Sequence, residues 1–139
     1  MIDKTAIEEI VKEVLHRLGE TESVAEGPQV FKGTLSLPAF AQAGLGNKVR
    51  LLDLITDKHC PTIGAGLMEM ENCSFPWTLN YDEIDYVIEG TLEIVYQDKT
   101  ITGKAGDIIY IPKGSPIQFK TPDKVRFFYV VYPVNWAEQ

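Results

Sequence analysis

Apolar side chains at Ile7, Ile10, Val11, Val14, Leu15 and Leu18 recur at spacings of three, four, seven and eight, which puts all six on one helical stripe. Thr5 with Glu8 three residues on forms a capping-box signal. Gly19 stops the pattern, so residues 1–19 are read as an amphipathic helix and the acidic, aperiodic stretch 20–29 as a linker. Such a stripe needs a partner: its own β domain, a dimer mate or another protein. From residue 30 the period changes to two. Short β-rich runs are predicted at 30–37, 49–56, 63–70, 75–79, 84–89, 91–96, 100–102, 107–111, 117–120 and 125–132. Gln97-Asp98-Lys99, Pro112-Lys113-Gly114 and Thr121-Pro122-Asp123 are read as turns. Short strands at this spacing predict an all-β sandwich or barrel over residues 30–139. Nothing repeats internally.

The remaining bulk properties narrow the function. At 139 residues the chain has room for one core. Its net charge of −7 and pI of about 4.8 argue against a nucleic-acid surface, which needs a stripe of Lys and Arg. The opening Met-Ile-Asp-Lys lacks secretory character. The apolar run near 127–131 is far too short to span a bilayer. Cys60 and Cys73 form no disulfide framework. A cytoplasmic chain with no membrane partner is expected.

Glu83, six intervening residues and Gly90, followed by Gly106, Pro112 and Gly114, match the turn-forming frame of the cupin signature. The chain therefore resembles a single cupin, a jelly-roll barrel. Where a metal-binding cupin carries His, His, Glu and His, this sequence has Trp77, Leu79, Glu83 and Ile117. The two histidines, His16 and His59, cannot supply a three-imidazole site, so no transition metal is expected. In the cupin register Glu83 faces inward, and strand alternation then turns Asp85 and Val87 inward too. Trp77 and Leu79 face in from the preceding strand, and Ile117 and Phe119 from a later one. A carboxylate pair on an apolar wall disfavours double ionisation. It could serve in acid/base work, hold a hard cation or grip an amine. Alternatively, Glu83 pairs with Lys113 or Arg126 and only closes the barrel.

Tyr81 and Asp82 fall in a turn, Asn80-Tyr81-Asp82, at the barrel mouth. Tyr81 there either meets a ligand or caps the core, and Lys113 lies in the facing turn. Glu69 and Glu71, with Glu83 and Asp85, are a further candidate oxygen-rich Mg²⁺ or Mn²⁺ site. No nucleophile elbow or phosphate loop is present.

The run from Ser74 to Gly90, with Gly106 to Ser115 behind it, resembles the ethanolamine-utilisation protein Q family over about residues 30–135. That resemblance implies a protein of the bacterial ethanolamine microcompartment with acetate kinase activity, and hence ATP and Mg²⁺. It also likens residues 5–18 to the tags that carry enzymes to compartment shells or to one another. Glu83, Asp85 and Tyr81 are the candidate catalytic residues. Trp77, Leu79, Asp82, Lys113 and Ile117 are candidate ligand contacts. A non-catalytic, small-molecule-binding or structural cupin is the alternative. The apolar run 127–132 exceeds what one face needs, so a homodimer is expected.

Overall fold

The computed structural model describes residues 26–138 together with Glu8. The helix expected at 5–18 and most of the linker at 20–29 therefore lie outside the described residues. Six strands follow in chain order: β1 (Val49–Ile55), β2 (Gly64–Leu79), β3 (Asp82–Tyr96), β4 (Lys99–Lys104), β5 (Ile108–Ile111) and β6 (Ser115–Tyr132). All pairings are antiparallel, in the order β1-β2-β6-β3-β4, with β5 on β3. The sheet wraps so that inward side chains of β1, β2, β3, β5 and β6 meet in one core, among them Val49, Phe75, Val87, Ile109 and Phe127. Burying each such side chain contributes about 1.5–3 kcal/mol. This is the all-β barrel expected from the period-two pattern.

Three long strands replace six shorter expected ones. Runs 63–70 and 75–79 are one strand, β2, which passes through a register shift at Glu71/Cys73 where Asn72 takes a positive φ of 40°. Runs 84–89 and 91–96 are one strand, β3, shifted at Val87/Glu89 and Gly90/Glu93. The shifts have a purpose in the pattern. Val87 faces in at an odd position, and after the bulges Leu92 and Ile94 face in at even ones. Thr121-Pro122-Asp123, expected as a turn, lies within β6, where Asp123 N–H bonds the Thr121 hydroxyl at 3.4 Å. The run 30–37 forms no strand. Pairing on that side consists of an isolated bridge, Ala39 to Arg50. Instead Arg126 fastens the segment, donating to the Gly33 and Leu35 carbonyls at 2.5 and 2.9 Å while pairing with Glu69 at 3.1 Å.

Candidate functional site

Strand alternation brings Glu83 and Asp85 to the inside of β3, 5% and 0% exposed. Neither has a salt-bridge partner among the described residues. Arg126 is committed to Glu69, and Lys113 is exposed in its turn, so the reading in which Glu83 pairs with either cation is not what the fold does. Apart from Glu83, nothing among the described residues donates to or accepts from Asp85's two carboxyl oxygens, and the side-chain bond that bears on Glu83 is to Asp85. Two carboxylates cannot bond each other, because both only accept; the contact requires a proton between them. Burial pushes Glu83 up to about 7, with the bond to Asp85 opposing. Burial, then the charge of Glu83, raises Asp85 well above the usual carboxylate range. The pair titrates as a unit.

Above the pair lies an aromatic layer. Trp77 Nε1 donates to the Tyr81 hydroxyl at 2.7 Å. Trp136, on the short turn Trp136–Glu138, stacks at a tilt 5.7 Å from Tyr81 and 6.1 Å from Trp77. The Tyr129 hydroxyl donates to Asp53 Oδ1 at 2.5 Å, and Trp136 Nε1 reaches the same oxygen at 3.3 Å. This crossing depends on Gly66. Register places Asp53, Gly66 and Tyr129 side by side on β1, β2 and β6. A Cβ on Gly66 would collide with the Tyr129 hydroxyl and come within 2.5 Å of the Leu52 carbonyl oxygen. Burial, followed by the nearby carboxylates, pushes the Tyr81 and Tyr129 phenols above their ordinary range, so both remain protonated, Tyr129 donating to Asp53 and Tyr81 accepting from Trp77.

Inside the layer is a cavity of about 10 Å³, the space of one water. Glu83, Phe40, Phe75 and Phe119 line it alongside the rings. Outside is a mouth recess of about 320 Å³ between Pro76, Trp77, Thr78, Tyr81, Trp136 and Ala137. Trp77 faces Ile117 across β2 and β6, while Leu79 and Ile117 are packed into the core behind the cavity. Asp82 Oδ1 accepts the Lys113 backbone N–H at 2.9 Å and so ties the two mouth turns together. Glu69 and Glu71 border a different recess, beside Lys48, Arg50 and Lys124, so the four-carboxylate site does not assemble. Among the described residues no three His, Cys, Asp or Glu side chains converge as a metal site. Asp53, Tyr129 and Trp136 were not singled out in the sequence. For Tyr129 the signal was available, since alternation within 127–132 points it inward with Phe127 and Val131.

The family model for ethanolamine utilisation protein EutQ matches residues 40–138. A protein named acetate kinase EutQ from Clostridioides difficile is 54% identical over 87 residues, 63% of this chain and 55% of that protein. The chain thus spans about half the length of this curated relative. A solved ethanolamine utilization protein Q from Salmonella typhimurium superposes with a TM-score of 0.75 at 43% identity, covering 81% of this chain and 92% of that one. The Schizosaccharomyces pombe Cnp3 cupin domain, 16% identical over 79% of this chain and 72% of that one, shares the fold with a TM-score of 0.60.

Proposed function

This chain belongs to the EutQ family of ethanolamine utilisation proteins, and from that premise we propose that it converts ATP and acetate to ADP and acetyl phosphate. The carrying observation is the 54% identity to a relative named for acetate kinase activity. Glu83, Asp85 and Tyr81 are the proposed working centre, with Trp77 as wall, Leu79 and Ile117 as apolar backing, and Asp82 and Lys113 shaping the mouth. A pair that shares one proton can give or take it at Glu83, the member that lines the cavity.

A nucleotide and Mg²⁺ do not fit the barrel interior as it stands. The space is that of one water, its lining carries no cationic side chain, and the pair holds a proton where a cation would bind. No step of phosphoryl transfer is therefore assigned to these residues. The same tight interior favours a second reading, a cupin that binds a small molecule or organises the ethanolamine microcompartment without turnover. Residues 5–18 are the proposed docking element for shell or partner enzymes. The deciding experiment is acetyl phosphate formation by the full chain with Mg²⁺, ATP and acetate. Mg²⁺-dependent turnover is expected, and its absence leaves the second reading. A rate in Glu83→Gln reduced about 100-fold, the lower range for a lost acid/base group, ties the reaction to the pair. An unchanged rate places the reaction outside the barrel.

A further inference from the structure

Trp77, Tyr81 and Trp136 line both the inner cavity and the mouth recess, so these three rings are the wall between them. Behind the wall Glu83 is buried, faces the cavity and has no donor except the proton it shares with Asp85. Asp85 has no hydrogen-bond partner beyond that shared proton. Asp53, exposed on β1, holds two members of this aromatic layer by accepting from Tyr129 and Trp136. Neither space is lined by Lys, Arg or His. Ring faces attract cations, and buried carboxylates without donors cost stability until a cation or proton supplies them. An anion here would meet acids on an apolar wall with nothing to offset its charge.

We propose that the barrel binds a small primary alkylammonium ion, its NH₃⁺ group seated against Glu83 and its short carbon chain held among Trp77, Tyr81 and Trp136. The ammonium carries three N–H donors, which are what Glu83, the member of the pair that lines the cavity, lacks. Its charge lets both carboxyls ionise, and the proton they share leaves to solvent. The cavity of about 10 Å³ admits only the head of such a ligand, and then only as the rings give way. The 320 Å³ recess outside has room for the chain. The titratable groups lining this space are Tyr81 from the β2–β3 turn, Glu83 from β3 and Tyr129 from β6; Asp85 follows Glu83 on the same face of β3, and the exposed Asp53 of β1 accepts from Tyr129 and Trp136. From β2 come only Met68, Phe75 and Trp77. Since the phenols stay protonated, the acid pair sets the pH response, and affinity rises with pH. This inference does not depend on acetate kinase activity, because binding is read without ATP.

The chain's two tryptophans both stand in the wall, so intrinsic fluorescence reports on the site directly. The full chain is titrated with ethylammonium or ethanolammonium chloride, against sodium chloride and sodium acetate at equal ionic strength. A saturable change is expected with either ammonium salt and not with the controls, several-fold tighter at pH 8 than at pH 6. Glu83→Gln should weaken binding at least tenfold. Should that variant misfold by circular dichroism, Trp136→Phe serves instead, with binding read by calorimetry and a several-fold loss expected. The proposal is overturned by no saturable response to ammonium, by an equal response to acetate, or by unchanged affinity in the folded variant.

Discussion

Glu83 and Asp85 are held on one strand face without a cation, and this makes the fold a proton acceptor. The folded state, with Glu83 raised to about 7 and Asp85 also raised, keeps protons that the unfolded chain releases near its ordinary carboxylate values. For acids shifted upward, stability is greatest at low pH and is lost as pH rises through the folded value. The slope is roughly 1.4 kcal/mol per pH unit for each extra proton held. The melting temperature is therefore expected to fall as pH rises from 5 through 7. Asp85→Asn should flatten that fall, which differential scanning calorimetry across this range checks; an identical slope in wild type and variant would contradict the shared proton. Gly66 belongs to the same scale. Gly66→Ala drives Tyr129 off Asp53 and should cost about 1–3 kcal/mol in denaturant unfolding.

Among the elements, β3 depends on its irregularities. Gly90 has φ +81°, and a Cβ there would run into the Lys124 carbonyl and stand 2.8 Å from Val125 Cα. Gly90→Ala is expected to cost about 3 kcal/mol or more, seen as a lowered urea midpoint, because backbone on both sides has to move. These irregularities also explain what the sequence concealed. Alternation correctly placed Glu83, Asp85, Trp77, Leu79, Ile117 and Phe119 inside. Asn72, Gly90 and Thr121-Pro122-Asp123 carry local turn chemistry, yet the ladder partners on either side hold the chain extended, so strands bend where ends were expected. Run 30–37 alternates like a strand but is held by the Arg126 guanidinium instead of a ladder. The convergence of Asp53, Tyr129 and Trp136 comes from pairings 76 and 83 residues apart, a distance over which no local pattern speaks.

Among the described residues, one outer face is apolar. Ile84 and Tyr86 of β3 lie beside Tyr110 and Ile108 of β5, and Tyr132 continues the patch from β6; all five are exposed, Ile108 by 69%. If the expected homodimer forms, a contiguous apolar face of this kind is where its contact belongs. Light scattering at micromolar concentration should give about twice the 15.6 kDa of the chain. The double variant Ile108→Lys, Tyr110→Lys should give a monomer with its fold intact, and a wild-type monomer would show that the face is solvated as it stands. No helix among the described residues is long and apolar enough to cross a membrane.

The placement of β6 has a consequence for biosynthesis. This strand pairs with β2 along nearly its whole length and with β3 on its other edge, so it joins the two sides of the sheet. Of the six described strands it is the last to leave the ribosome. Until residues 115–132 emerge, β2 and β3 have no central partner, and their inward aromatic and aliphatic side chains face solvent or a chaperone. Closure waits for long-range pairing, which is slow to form and prone to aggregation while incomplete. A ribosome-stalled chain halted with residue 114 at the tunnel exit should stay sensitive to protease, and one extended to place residue 138 outside should become resistant in a single step.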